Sequence, residues 1–206
     1  ESWAKPGEVN YASAITNALA AKPDVVFVVV PGRFVQFQKQ ADAMGLTKAS
    51  HIHWSYGERP SAEASGDAAF GVTATVDYVE DNPEWKLSKE FAQRYHKRFG
   101  EWPGWPASST YQGTRLFLMA IEKAKSLDAA KIMRAVQGME DPNPITGRPY
   151  LVRACDQKSI QPLYTVEWTK SQEFAPGYWK ILKKYAQPQS ALLPCSVKAN
   201  YDKMKY

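Results

Sequence analysis

Cysteine is nearly missing from these 206 residues. Cys155 and Cys195 are the only two, and their spacing suits neither a metal knuckle nor a Cys-x-x-Cys redox pair. Two free thiols or one disulfide remain, and the disulfide is the favoured reading. A closed loop of about forty residues would contribute roughly 4 kcal/mol in a chain-entropy account and would place the protein in an oxidising compartment. Histidine is also scarce, at three residues. His51 and His53 alternate on one face of a short strand, and His96 could in principle join them. Zinc needs three or four ligands, so polar strand residues are the preferred reading and no metal is expected. No glycine-rich phosphate loop, nucleophile elbow or His-Glu-x-x-His occurs, and carboxylate pairs such as Glu80-Asp81 read as solvated turns. The expectation is a protein with no catalytic residues and no cofactor. Long apolar runs are lacking too, which excludes a helical membrane span. A net charge of +5, with no compact basic stripe, argues against nucleic acid as a partner. The chain begins at Glu1 without Met or a leader, and reads as a processed or truncated protein.

Aromatic residues, at 13% with seven Trp, are plentiful. They suit stacking surfaces or a lined pocket. The most informative stretch is Lys22-Pro23-Asp24, then Val25-Val26-Phe27-Val28-Val29-Val30, then Pro31-Gly32-Arg33 and a helical pattern from Phe34 to Leu46. Six apolar residues between turn signals read as a central strand buried on both faces, hence a parallel sheet with helices on both faces. Ligands in such α/β folds sit at the carboxyl ends of strands, so Pro31, Gly32, Arg33 and Phe34 form a candidate binding loop. Arg33 could meet a carboxylate bidentately, or form an ordinary surface salt bridge. Trp54, Ser55 and Tyr56 follow the next strand end and could line the same cleft, or cover the sheet edge.

The remaining pattern alternates helices and strands. A helix capped by Asn10 ends at Lys22-Pro23. His51 to Trp54 and Val72 to Val76 read as strands. Asn82-Pro83 reads as the start of a helix that Gly100 stops. Glu101 to Pro106, with two prolines and a glycine, reads as a boundary without helix. A long helix capped at Ser108 or Ser109, a helix over Ala129 to Val136, and β-runs at 150–153, 163–168 and 177–182 complete the reading.

Taken in order, Tyr11 to Val30, Gln38-Lys-Gln-Ala41 with Gly45-Leu46, Gly66-Asp-Ala-Ala-Phe-Gly71, Arg98-Phe-Gly100 and Tyr111 through Ala120-Ile-Glu-Lys-Ala124 resemble the type I periplasmic solute-binding proteins of branched-chain amino-acid ABC transporters. The resemblance covers about 1 to 170. It implies two α/β lobes joined by three hinge strands, with a small ligand between the lobes, a periplasmic or extracellular location, and a membrane permease as partner. Mapped by order, 1–103 resembles most of lobe two and 104–170 a hinge crossing, with Trp105 at the hinge, plus the late part of lobe one. Residues 171–206 then form a return segment and tail. The N-terminal half would be absent, cleaved or supplied by a separate chain, so the helix face at Tyr111, Leu116, Met119 and Ile121 is expected to be exposed or covered by another polypeptide. Amino-acid binders of the family place a Glu before Gly-Asp-Ala-Ala, whereas here Trp54 falls near that place and Glu58 comes later. The resemblance thus implies capture of an amino acid or of an aromatic or apolar carboxylate for an importer; the alternative is a ligand-sensing domain of a receptor or regulator.

Overall fold

A computed structural model describes residues 1–185, except 4, 6 and 31. Cys195, Pro31 and the tail beyond 185 lie outside the described residues, and with them the expected disulfide to Cys155. In chain order the elements are α1 (Ala12–Ala21), β1 (Val25–Val28), α2 (Phe34–Ala43), α3 (Leu46–Ala49), β2 (His51–Trp54), α4 (Arg59–Ser65), a 3-10 turn (Gly66–Ala69), β3 (Thr73–Val76), α5 (Lys86–Phe99), α6 (Trp105–Ala124), α7 (Ala129–Val136), β4 (Leu151–Val152), β5 (Ser159–Ile160), β6 (Leu163–Lys170) and β7 (Gly177–Tyr185). The fold is α/β with a mostly parallel sheet. Packing divides it into two units, 1–76 with 165–183, and 77–164 with the segment from Lys184.

In the first unit the sheet order is β1-β2-β3-β6-β7. β1 pairs in parallel with β2 (Val25 beside His51, Val28 beside Trp54), and β2 pairs in parallel with β3 (His53 beside Thr73). β6 joins next to β3, with the Gly71 amide donating to the Trp168 carbonyl at 3.0 Å and the Trp168 amide to the Val72 carbonyl at 2.9 Å. On one face Val28, Ile52, Trp54, Ala74 and Val76 are buried, and among the helices α2 contacts α1, α3 and α4. β1 differs from its expectation. It is four residues long, ends the sheet, and leaves Val25, Phe27 and Val29 exposed, rather than lying centrally with both faces covered. An unbroken apolar run gives no period from which to tell one buried face from two.

The second unit builds its core from Leu116 and Ala120 of α6, Ile132 of α7, and Met139, Tyr150 and Val152. Met119 and Ile121 pack against it. Leu116, Met119 and Ile121 are therefore covered from within the unit, contrary to expectation, because α7 packs on α6, whereas Tyr111 is exposed as expected, together with Phe117 and Leu118. A second cluster joins Tyr78, Phe91 and Ile145. Buried Gln112 donates to Asp141 at 2.5 Å and accepts from the Ile145 amide at 3.0 Å, while Arg115 pairs with the same carboxylate at 2.8 Å. Helix starts deviate from the sequence signals. Asn82 is buried and donates to the Tyr164 hydroxyl, and α5 begins at Lys86 behind Trp85. α6 begins at Trp105, since Pro106 fits the first turn, where its missing N–H costs nothing. Gly100, with φ +76°, closes α5 as read.

Candidate functional site

Beyond the paired ends Val28 and Trp54 the chain turns sharply. The Arg33 amide donates to the Val30 carbonyl at 2.9 Å, Gly32 takes φ +68°, and Arg33 becomes the N-cap residue of α2 with an exposed side chain. On the neighbouring strand the Ser55 amide donates to the Val28 carbonyl at 2.9 Å and the Gly57 amide to the Thr75 carbonyl at 3.0 Å. Residues 55–57 therefore cross the carboxyl ends of β1 and β3. Gly57 is required for this crossing, because a Cβ there would lie 2.8 Å from the Ala74 Cβ and 3.0 Å from Val76. Ser55 and Tyr56 stay half-buried at the rim.

Two of the expected wall residues are core. Trp54 is fully buried, stacks on Phe34 with centroids 4.8 Å apart, and meets Trp179 edge-on. Its indole N–H donates to Gln38 at 3.1 Å, and Gln38 in turn donates to the Ala68 carbonyl at 2.7 Å. Phe34 and Trp54 thus fix the two loops from beneath. Trp105 belongs to the second unit, half-buried at the first position of α6.

α1 also starts at this end of the sheet. The Tyr11 amide donates to Gln40 at 2.8 Å and its ring packs edge-on against Phe37. Burial raises the Tyr11 hydroxyl above its ordinary pKa, and the nearby Arg33 guanidinium works in the opposite sense. Glu8 is held below the usual carboxylate range by amide hydrogen bonds from Asn10 and Val9. Arg33 therefore lies at a rim where two helices begin, a setting that favours an anion. The adjoining loop carries no acid until Glu58, whose carboxylate accepts from Ser61 at 3.0 Å.

Sequence reasoning missed the strut beneath this rim. Arg59, one per cent exposed, pairs with Glu63 at 2.7 Å and donates to the Phe174 and Gly177 carbonyls, both at 2.8 Å, with its guanidinium over Trp168. The only sequence signal was the i, i+4 spacing of Arg59 and Glu63. A shallow cavity of about 280 Å³ lies between Ala62, Phe70, Trp168 and Pro176, and none of the candidate residues lines it. The His51 Nε2 and the His53 Nδ1 both meet the Thr73 hydroxyl, at 2.7 and 2.8 Å. No group of three or more His, Cys, Asp or Glu able to hold a metal exists among the described residues. Nor is any described helix long and apolar enough to cross a membrane.

The sequence matches the family described as Periplasmic binding protein over residues 1–173. It is 27% identical over 147 residues to Leu/Ile/Val-binding protein homolog 7 of Brucella abortus, covering 68% of this chain and 37% of that protein. A solute binding protein of an ABC transporter from Rhodopseudomonas palustris BisB5, solved with 3,4-dihydroxybenzoic acid, superposes with TM-score 0.77 at 27% identity, covering 86% of this chain and 49% of the other. The amino acid ABC transporter substrate-binding protein of Pseudomonas fluorescens Pf-5 superposes with TM-score 0.80 at 21% identity, covering 96% and 52%. The chain thus spans about half the length of these solved relatives, and less of the curated one.

Proposed function

Because the chain belongs to the periplasmic binding protein family, matched over residues 1–173, we propose that it captures a small organic carboxylate for an ABC-type importer in the periplasm or outside the cell. The observation that carries this reading is the exposed Arg33 at the carboxyl end of β1, at the start of α2 and next to the half-buried Ser55 and Tyr56. A guanidinium there presents a planar fork to a carboxylate, and the helix start adds to the favourable field. Ser55 and Tyr56 supply hydroxyl and ring contacts, while Phe34 and Trp54 keep both loops in place.

An aromatic carboxylate is favoured over an amino acid. An ammonium group would ask for an acid on the 55–57 loop, which is Ser-Tyr-Gly, and Glu58 is committed to Ser61. The R. palustris BisB5 relative, solved with 3,4-dihydroxybenzoic acid, supports that choice, while the Brucella relative is named for Leu, Ile and Val. The role is binding and delivery to a membrane permease, without turnover.

Thermal-shift titration of the protein with 3,4-dihydroxybenzoate, 4-hydroxybenzoate, benzoate and leucine tests the reading. A ligand at about a hundred times its Kd adds roughly 2.7 kcal/mol of stability. The aromatic carboxylates are expected to raise Tm, leucine is not, and Arg33→Ala should remove the shift while Arg33→Lys keeps only part of it. A shift that survives Arg33→Ala refutes the site, and a shift with leucine alone refutes the ligand class.

A further inference from the structure

We propose that the cavity of about 280 Å³ beside Trp168 is a second ligand site, separate from the Arg33 rim, and that it takes a small zwitterion with an apolar body. It lies at the other end of the sheet. β1, β2 and β3 run parallel, and Arg33 follows the end of β1, whereas the cavity's first wall, within residues 62–70, leads into the start of β3. The second wall, within 168–176, is formed where β6 ends and the chain turns toward β7. Both walls belong to the first unit. The proposal therefore stands whether or not Arg33 holds a ligand.

The floor is apolar and held in place. Trp168 is buried, its amide donates to the Val72 carbonyl, and its carbonyl accepts from the Gly71 amide. Its ring lies under the Arg59 guanidinium, 5.3 Å away, and against the backbone of Gly177, where a Cβ would come within 2.8 Å of the indole. Ala62, Phe70 and Pro176 complete the apolar surface. A pocket that is already fixed loses little freedom on binding, so a small contact area can suffice. The charges around this floor point to the ligand. Of the two acids in the first wall, Glu63 is matched by Arg59 at 2.7 Å, whereas Asp67 has no side-chain hydrogen bond or ion pair among the described residues. In the second wall Lys170 has no carboxylate partner among the described residues either; its ammonium sits over the Phe70 ring, 5.2 Å from the centroid. The Ser171 hydroxyl accepts from the Phe174 amide at 3.0 Å, which leaves its own proton to donate. One cavity is thus lined by an anion and a cation that do not pair with each other. A zwitterion answers both: its ammonium meets Asp67, its carboxylate meets Lys170 and the Ser171 hydroxyl, and its apolar body covers Phe70 and the edge of Trp168. A simple carboxylate would leave Asp67 unanswered, and a simple amine would leave Lys170 so.

The test is an amide NMR titration of the Arg33→Ala chain with phenylalanine as the zwitterion, and with 3-phenylpropionate and phenethylamine, which each lack one of its charges. Phenylalanine should shift the Trp168 indole N–H and the amides of 66–71 and 170–172 saturably. Exposed ion pairs are weak, so each one-charge analogue should bind about three- to five-fold less tightly. Lys170→Gln should abolish the advantage of phenylalanine over phenethylamine and keep its advantage over 3-phenylpropionate. Asp67→Asn should do the reverse, with Tm unchanged in both variants. A structural disturbance would instead weaken all three compounds alike, and that result overturns the proposal. So does the absence of saturable shifts at these residues, or shifts confined to 54–57. An analogue that binds as tightly as phenylalanine overturns the zwitterion.

Discussion

Arg59 shows how one side chain can hold distant segments in place. Its guanidinium is fully buried yet balanced by Glu63 and by two carbonyls of the β6–β7 connection, at Phe174 and Gly177. A charge in that position is tolerable because the Nε donor meets a carboxylate and the Nη2 donors meet two carbonyls. Arg59→Ala should cost about 3 to 5 kcal/mol in urea unfolding, since it strands the two carbonyls and uncovers Trp168, and Arg59→Lys should recover only part. A loss under 1 kcal/mol would mean that water replaces the guanidinium. The sequence left Arg33 with two roles, partner of a ligand carboxylate or half of a surface salt bridge, because its place after a strand and a Pro-Gly turn suits both. It did not reveal Trp54 as core. A Trp at a strand end reads the same whether its face meets solvent or Phe34, and only the packing of Phe34, Gln38 and Trp179 decides.

Among the elements, β2 and its histidines carry a pH dependence. Burial, then the neighbouring His51, holds His53 below its ordinary pKa of 6.5. Over the interval between the two values the unfolded chain binds more protons, so the stability is complete above about pH 6.5 and is lost as pH falls through the folded value. Tm should therefore drop between about pH 7.5 and 5.5, and His53→Asn should make that drop smaller; an equal drop in both proteins would assign it to other groups. Elements with a strong period or a clear stop were legible: α7, β2 and the end of α5 at Gly100 lie where the pattern put them. Starts were less so. Asn82-Pro83 carries a capping signal, but its amide is drawn to Tyr164, a residue far along the chain that no local pattern reveals. β5, two residues long, had no signal of its own.

For the whole molecule, the ordered set of segments identified the family, while the strand positions within the sheet escaped. An apolar run states that a strand is buried but not how many neighbours it has, so β1 was read as central. The division into units has a consequence for the order in which the chain acquires structure. The first unit is discontinuous, closed only when 165–183 joins 1–76, whereas the second is built around the continuous stretch 77–164. On a ribosome the middle of the chain can therefore complete its core while the beginning still waits. Trp54 in particular lacks Trp179 until the far segment emerges, a delay of roughly ten seconds at ordinary translation speeds. Nascent chains stalled with residues 1–164 outside the exit tunnel should resist a pulse of protease around α6 and α7 and be cut between β1 and β3. Equal resistance of both regions would show that the sheet closes without its last two strands. During that interval the vulnerable part of the protein is residues 1–76, and a chaperone that protects them must remain bound until residues 165–183 have been made.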